Sequence, residues 1–333
     1  MGQSCSISLG SGGGKDGGIF RSDDHGKTWV QKNYVRTEKK RNVLLDDVTG
    51  RTLVFDPKDS QHIYLGTLAN GIWETTNGGD QWAPTSLRSG AYECLSLDEL
   101  NPEVMYTAAG QIVLKTINGG KNWTTVYTES QPDQGVTCVI VNPVNDREVW
   151  ATTSGGKILF SEDYGQRWTL LHSVDPMIPR MLYIPQSDPT SLYIFTRSNG
   201  IIRASSRGQT WTDLSTNLPT GNGVLDLRAV TIHPQGWFIA TAYGLLKSVD
   251  LGKSWTVIPT LITTGSVPLQ NVAVNPKNVQ DIFITTNQRL HHTTNGGETW
   301  SVITLPTSRL PVLLTFDPTT SDRLYSATFK QTK

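Results

Sequence analysis

One eight-residue pattern returns seven times along the chain. The first copy runs from Ser22 to Trp29, and every copy ends in tryptophan. The pattern reads S/T-x-D/N-x-G-x-x-W, with third and eighth positions Asp24 and Trp29, Asn77 and Trp82, Asn118 and Trp123, Asp163 and Trp168, Ser206 and Trp211, Asp250 and Trp255, and Asn295 and Trp300. The fifth copy is the weakest, because Ala204 and Ser206 replace the usual hydroxyl and carboxylate. A pattern with this recurrence predicts a repeat architecture.

The spacing of the seven tryptophans predicts the repeat unit. They lie 53, 41, 45, 43, 44 and 45 residues apart, and the first gap is longer because residues 33–47 insert a charged segment. The unit around Ser161 contains four short apolar runs, at 138–141, 148–152, 157–160 and 168–171. Runs rich in β-branched and aromatic residues between turn signals are strands. A period in the forties with four strands is typical of a propeller blade.

The two ends of the chain fix the number of blades. The N-terminal part supplies only a third and a fourth run, at 18–21 and 29–31, whereas the C-terminal part supplies only a first and a second, at 312–316 and 323–326. We therefore predict an all-β fold, a seven-bladed β-propeller of four-stranded antiparallel blades. Pairing of the terminal strands in one blade closes the ring and removes its open edge. Residues 17–333 form the propeller, preceded by a flexible Gly/Ser-rich tether at 1–16.

The repeated pattern itself has a structural interpretation. It spans the turn between the third and fourth strands, where glycine accepts a positive φ and the Asp or Asn side chain accepts hydrogen bonds from nearby backbone amides. The tryptophan then begins the outer strand and buries its ring beneath the turn. Seven copies cannot all be active sites, so we interpret the pattern as a fold marker.

Composition and residue types exclude several functions. The 29 basic and 29 acidic side chains balance, which gives no support for nucleic-acid binding. No run approaches the length of a membrane helix. His291 and His292 are neighbours on a predicted strand and point to opposite faces, while the other histidines are scattered over different blades. We therefore predict no metal site and no cofactor, and we expect a monomer.

The three cysteines fall into two groups. Cys94 and Cys138 occupy the same repeat position on neighbouring units, and we expect them to be small buried apolar side chains rather than a disulfide. Cys5 precedes a Gly/Ser-rich stretch and resembles the mature end of a bacterial lipoprotein. Two interpretations stay open for it, a lipid tether to a membrane and an ordinary disordered tail. The first implies an exported protein.

A candidate ligand site follows from aligning the first strands of the units. The position two residues before their shared apolar pair reads Arg51, Glu93, Thr137, Arg180, Arg228, Gln270 and Val312. Innermost strands line the central channel, so these residues should circle one channel mouth, with three arginines against one glutamate. The inserted segment adds Arg36, Lys39, Lys40 and Arg41 from a loop that should lie on the same face. Arginine forks suit carboxylates and phosphates, which predicts a protein or acidic peptide as partner. The alternative is that these arginines form structural ion pairs with Glu93 and neighbouring acids.

Ser22-x-Asp24-x-Gly26-x-Thr28-Trp29 is similar, almost letter for letter, to the Asp-box or BNR repeat. That repeat occurs in sialidases, xyloglucan-cleaving hydrolases, sortilin-type receptors and the photosystem II stability/assembly factor group. The compact ring of seven boxes, the Gly-Gly-Ile-Phe entry at Gly17 and the short blades resemble the assembly-factor group most. The resemblance implies a non-enzymatic, exported or lumenal binding scaffold that assists assembly.

The alternative function is a carbohydrate-active, sialidase-like glycoside hydrolase or a glycan-binding propeller. The chain has no Arg-Ile-Pro motif of sialidases, which moreover usually have six blades. A glycosidase also needs two carboxylates about 5–10 Å apart across a cleft. The candidates on predicted inter-blade loops are Asp46, Asp47, Glu129, Asp133, Asp175 and Asp226. Sequence alone does not bring any two of them together, and we predict that the chain is not an enzyme.

Overall fold

The structure is a computed structural model that describes residues 16–218, 226–263, 265–287 and 289–329. The chain begins with β1 (Ile19–Ser22) and β2 (Val30–Gln31), followed by a two-stranded hairpin of β3 (Tyr34–Glu38) and β4 (Arg41–Leu44). The described residues also contain one short 3-10 helix, Ser215–Asn217. In the described residues, no helix is long and apolar enough to cross a membrane.

The remaining strands form six consecutive four-stranded sheets and complete a seventh. Blades 1 to 3 consist of β5 (Gly50–Asp56), β6 (Asp59–Thr67), β7 (Ile72–Thr75) and β8 (Ala83–Pro84); β9 (Leu95–Leu97), β10 (Met105–Ala109), β11 (Ile112–Thr116) and β12 (Thr124–Thr128); and β13 (Val136–Asn142), β14 (Asn145–Thr153), β15 (Lys157–Ser161) and β16 (Thr169–Ser173). Blades 4 to 6 consist of β17 (Pro179–Tyr183), β18 (Leu192–Thr196), β19 (Ile201–Ser205) and β20 (Thr210–Asp213); β21 (Leu227–His233), β22 (Gly236–Thr241), β23 (Leu245–Ser248) and β24 (Thr256–Ile258); and β25 (Asn271–Asn275), β26 (Asn278–Thr285), β27 (Arg289–Thr293) and β28 (Ser301–Thr304).

Blade 7 joins the two ends of the chain. Its strand order is β29 (Leu310–Phe316), β30 (Leu324–Phe329), β1 and β2, and all neighbours are antiparallel. Residues Ile19 to Ser22 pair with Ala327 to Leu324, and Gly18 exchanges backbone and side-chain hydrogen bonds with Thr328. The predicted seven-bladed propeller, its four-stranded antiparallel blades and its closure by the terminal strands are thus confirmed.

The core lies between the blades. Seven clusters of buried apolar side chains fill the seven interfaces of the described ring. Between blades 4 and 5, for example, Trp237 packs edge-on against Tyr193, with ring centroids 4.7 Å apart. Between blades 7 and 1, Ile19 and Tyr325 are fully buried against Trp82. Because each blade covers one face of the next, no single blade buries its own core.

The repeated boxes are turns held by their own side chains. In the first box, Ser22 Oγ accepts a hydrogen bond from the Gly26 amide (2.8 Å), and Asp24 Oδ1 accepts one from the Thr28 amide (2.8 Å). The Trp29 indole donates to the Gly26 carbonyl (3.0 Å). In the fifth box, which has no hydroxyl at Ala204, the Gly208 amide bonds instead to the Ser205 carbonyl (3.0 Å). The turn therefore survives the loss of the side chain through a backbone substitute.

One expectation about the cysteines is wrong. Cys94, directly before the innermost strand of blade 2, forms a disulfide with Cys138, on the innermost strand of blade 3, with Cα atoms 5.2 Å apart. The physical reason is that innermost strands converge on the ring axis, so equivalent positions on neighbouring blades approach within disulfide range. The prediction on Cys5 lies outside the described residues, as does that on the tether at 1–16 except for its last residue. Asp16 accepts hydrogen bonds from the amide and hydroxyl of Ser308.

Candidate functional site

The ring position predicted from the sequence coincides with a repeated backbone irregularity. In five blades the pairing of the innermost strand with its neighbour skips one residue near the start of that strand. The skipped residues are Arg51, Thr137, Arg180, Arg228 and Val312. A β-bulge leaves one residue out of the ladder and redirects its side chain. In these five blades the bulge thus directs the side chain at this position toward the channel mouth.

The structure brings these residues to one cavity. A cavity of about 360 Å³ at the channel mouth is lined by Arg51, Glu93, Thr137, Arg180, Arg228 and Val312, among others. The seventh ring residue, Gln270, accepts a hydrogen bond from Arg228 Nη1 (3.0 Å). The predicted ring is therefore present as a geometric unit. Its role in ligand binding stays a prediction.

The charges of the ring are only partly compensated. Arg51 Nε lies 3.3 Å from a Glu93 carboxylate oxygen, and this pair is half exposed. Arg228 is bound in a fork by Asp226, which also accepts a hydrogen bond from Arg197 Nε (3.0 Å). Glu93 and Asp226 thus pair with three arginines, namely Arg51, Arg228 and Arg197. The fourth, Arg180, has no hydrogen-bond or ion-pair partner among the described residues.

The surroundings of Arg180 favour an incoming anion. Desolvation of its guanidinium lowers the pKa of Arg180, and the positive charges of Arg197, Arg51 and Arg228 lower it further. Burial alone would raise the pKa of Asp226, but the hydrogen bonds from Arg228 and Arg197 hold it below its ordinary value. Asp226 is therefore a carboxylate already used as a counter-ion. A ligand carboxylate at Arg180 would relieve repulsion between cations as well as form new hydrogen bonds.

Two elements of this mouth escaped the sequence analysis. Arg197 follows the second strand of blade 4, whereas the alignment compared only first strands. The Cys94–Cys138 disulfide forms part of the cavity wall. The shared repeat position of the two cysteines is the sequence signal for the disulfide, because equivalent positions on neighbouring blades come close together near the ring axis.

The four basic residues of the insertion do not line this cavity. They belong to the hairpin β3–β4, whose first strand runs beside the second box. The Trp82 amide donates to the Tyr34 carbonyl (2.9 Å), and Gln81 Nε2 donates to the Val35 carbonyl (2.9 Å). Arg36 forms an exposed ion pair with Glu38, and Lys39 and Lys40 form the left-handed tip. The structure thus does not bring Arg36, Lys39, Lys40 and Arg41 to the arginine ring.

Of the candidate loop carboxylates, Asp226 stands at the mouth as the counter-ion of Arg228 and Arg197. The other five do not belong to the lining of the cavity, which includes the carboxylate of Glu93; they are Asp46, Asp47, Glu129, Asp133 and Asp175. Asp46 and Asp47 contact Arg309 through a backbone and a side-chain oxygen. The buried Glu129 accepts hydrogen bonds from Lys157 (2.7 Å) and Tyr127 (3.0 Å). Burial alone would raise the pKa of Glu129, but the Lys157 bond keeps it below its ordinary value. The contacts of Asp46, Asp47 and Glu129 are those of residues that stabilise the fold.

A histidine cluster at the interface of blades 6 and 7 was missed by the sequence analysis. His25, in the first box, and His292, on β27, both direct Nε2 at the carboxylate of Asp281. Among the described residues, these three side chains form a group that could hold a metal ion, because their ligand atoms all lie within 4.8 Å of one another. No residue spacing along one strand indicates this cluster, because it forms between blades.

The fold and its repeats define the class: this chain is a seven-bladed propeller of Asp-box repeats. Residues 39–171 match the family model of the photosynthesis system II assembly factor YCF48, and residues 19–32 match the BNR-Asp box repeat. These two matches confirm the predicted resemblance to the assembly-factor group and its Asp-box repeats.

Solved structures share the fold at low sequence identity. A structure of YCF48 bound to a D1 peptide has a TM-score of 0.64 and 16% identity, covering 85% of this chain and 94% of that chain. YCF48 from Cyanidioschyzon merolae has a TM-score of 0.62 and 15% identity, covering 85% and 96%. A GH74 xyloglucanase from Xanthomonas campestris has a TM-score of 0.66 and 15% identity, with 85% of this chain but 51% of the enzyme covered.

A curated relative is also a xyloglucanase. Xyloglucanase Xgh74A of Acetivibrio thermocellus is 35% identical over 68 residues. This match covers 20% of the present chain, and the chain spans 8% of the length of that enzyme.

Proposed function

We propose that this propeller is a non-enzymatic binding scaffold that holds a carboxylate of a protein or acidic peptide at its channel mouth. The observation that carries the proposal is Arg180, a guanidinium at the rim of the cavity with no partner in the described chain and with arginines around it. A neighbouring structure of this fold is described as bound to a peptide, which supports a peptide as the kind of ligand.

The interior of the cavity supports binding rather than hydrolysis. The two carboxylates at this mouth are both paired with arginines, Glu93 with Arg51 and Asp226 with Arg228 and Arg197. A glycosidase requires a second carboxylate about 5–10 Å from the first across the scissile bond. The matches to xyloglucanases favour hydrolysis of a β-glucan as the second candidate function, and release of reducing sugar from xyloglucan by the purified chain would support it.

Removal of the Arg180 charge is expected to weaken binding of acidic peptides. In fluorescence anisotropy, the wild-type chain should prefer a peptide with an acidic C-terminus to the same peptide with neutral residues and an amidated end. Arg180→Gln should reduce the affinity about 10- to 100-fold, because hydrogen bonds to charged groups contribute about 1.5–3 kcal/mol. The affinity of the wild type should also fall as salt increases.

Arg167→Gln is the matched control, since Arg167 is an exposed arginine in the box turn of blade 3, away from the cavity lining. It should leave the affinity unchanged. Equal losses in the two variants, or equal affinity for acidic and amidated neutral peptides, would refute a carboxylate site at the channel mouth.

We further propose that the protein works in an exported or lumenal compartment. The Cys94–Cys138 disulfide supports this, because such bonds persist in oxidising compartments and are rare in reducing cytosol.

A further inference from the structure

The cluster of His25, Asp281 and His292 joins two blades through one carboxylate. Asp281 lies on β26 and is almost fully buried. His25 Nε2 lies 2.8 Å from Asp281 Oδ2, and His292 Nε2 lies 2.8 Å from Asp281 Oδ1. His25 belongs to the terminal blade 7, whereas Asp281 and His292 belong to blade 6. Three potential ligands from three separate segments thus meet at the interface of blades 6 and 7.

Both ring nitrogens of His25 face an oxygen atom, Nδ1 a backbone carbonyl and Nε2 a carboxylate. His25 Nδ1 lies 3.1 Å from the carbonyl oxygen of Ser321, which can only accept, so Nδ1 must carry the proton. In a neutral ring, Nε2 then presents a lone pair to the Asp281 carboxylate, which has no proton to give. Two lone pairs at 2.8 Å repel each other. A cation between them removes the conflict, and it is either a second proton on the imidazole or a metal ion.

The surroundings match what metal-binding groups require. A ligating histidine typically donates its other N–H to a backbone carbonyl, as His25 does to Ser321, and a ligating carboxylate is itself hydrogen-bonded. Asn275 Nδ2 supplies that bond to Asp281 Oδ2 at 2.6 Å. The ring of His292 stacks on Phe283 with centroids 4.0 Å apart, which fixes its orientation.

We propose that His25, His292 and Asp281 bind one divalent transition-metal ion of the Zn²⁺ class across the seam of blades 6 and 7. Two imidazoles and one carboxylate are a zinc ligand set that leaves a fourth position for water, and nitrogen ligands disfavour Ca²⁺ and Mg²⁺. Tetrahedral coordination at about 2.0 Å sets the ligand atoms about 3.3 Å apart. Each histidine nitrogen, now 2.8 Å from its Asp281 oxygen, must therefore move away by about half an ångström, whereas the two histidine nitrogens already lie within 4.8 Å of each other. The ion would fasten the terminal blade to its neighbour, on the box side of the ring.

The test uses the full chain, freed of metal with EDTA, dialysed and titrated with ZnCl₂ at pH 7.5 in a calorimeter. The proposal predicts one ion per chain and a higher thermal unfolding midpoint in excess Zn²⁺, since a ligand that binds only the folded state stabilises it. CoCl₂ in place of ZnCl₂ should give the visible absorption of tetrahedral cobalt. His25→Gln, His292→Gln and Asp281→Asn should each abolish the one-to-one binding, and Asn275→Ala should weaken it about 10- to 100-fold.

The matched control is His172→Gln, because His172 stacks on Trp211 in blades 3 and 4, away from this cluster. It should bind Zn²⁺ as the wild type does. Circular dichroism in EDTA identifies the variants that fold. If the variants at buried positions do not fold, His25→Gln still tests the proposal, because His25 lies on a surface turn. No stoichiometric ion in the wild type would mean that a proton bridges the cluster, and Zn²⁺ binding that persists in folded His25→Gln would place the ion elsewhere. Either result overturns the proposal.

Discussion

A chain that lacks residues 1–31 is expected to lose the cooperative unfolding transition of the whole propeller. The deletion removes β1 and β2, exposes the paired edge of β30 and takes the buried Ile19 and Phe20 out of the core. Burial of each of these side chains contributes about 1.5–3 kcal/mol, and the unpaired β30 would invite association between chains. Differential scanning calorimetry and size-exclusion chromatography should show aggregation or a broad, low-temperature transition.

Point variants separate ring closure from a general effect of the N-terminal strands. Ile19→Ala, at a fully buried position, should lower the free energy of unfolding by about 2–5 kcal/mol. Val30→Ala, on β2 with 55% of its side chain exposed, should stay within about 0.5 kcal/mol of the wild type. A synthetic peptide of residues 16–31 should restore the transition of the truncated chain. A truncated chain that melts like the wild type would show that blade 7 is dispensable.

Reduction of the Cys94–Cys138 disulfide is expected to lower the free energy of unfolding by about 4 kcal/mol. The bond closes a loop with a sequence separation of 44 residues, and the entropy that such a link removes from the unfolded chain gives this magnitude. Guanidinium denaturation with and without a phosphine reductant measures the effect. The bonded cysteines are the chain neighbours of Glu93 and Thr137, two residues of the cavity lining, so loss of the bond should also loosen that side of the cavity.

The double variant Cys94→Ala/Cys138→Ala is the control for this prediction. It should unfold at the lower midpoint of the reduced wild type and should no longer respond to the reductant. Two free thiols at these positions in the oxidised wild type, found by thiol titration of the unfolded chain, would contradict the disulfide.

Most of the fold could be predicted from the sequence because the box marks the same turn in each repeat. Once Trp29 and its six equivalents are aligned, every short strand has a register, and the incomplete runs at the two ends can only complete each other. The insertion at 33–47 carried no such marker. Its two strands form a separate hairpin beside the box of blade 1. The hairpin is held there by hydrogen bonds from that box to the carbonyls of Tyr34 and Val35, two residues that belong to no repeat.

The candidate site was predicted where it depends on strand register and missed where it depends on contacts between blades. Arg51, Arg180 and Arg228 share a repeat position, and their convergence followed from it. The bulge that directs them inward has no residue signature in these strands, because it arises from backbone pairing. Arg197, the disulfide and the His25–Asp281–His292 cluster all require knowledge of how neighbouring blades touch.

We expect the arginine ring to capture an acidic segment of a protein partner. Affinity capture with immobilised wild-type chain and with Arg51→Gln/Arg180→Gln/Arg228→Gln, quantified by mass spectrometry, tests this expectation. A partner should be retained by the wild type, released by a free acidic peptide and lost from the triple variant, and neither protein should release sugar from xyloglucan. Retention of the same partner by both proteins, or turnover of xyloglucan by the wild type, would contradict it.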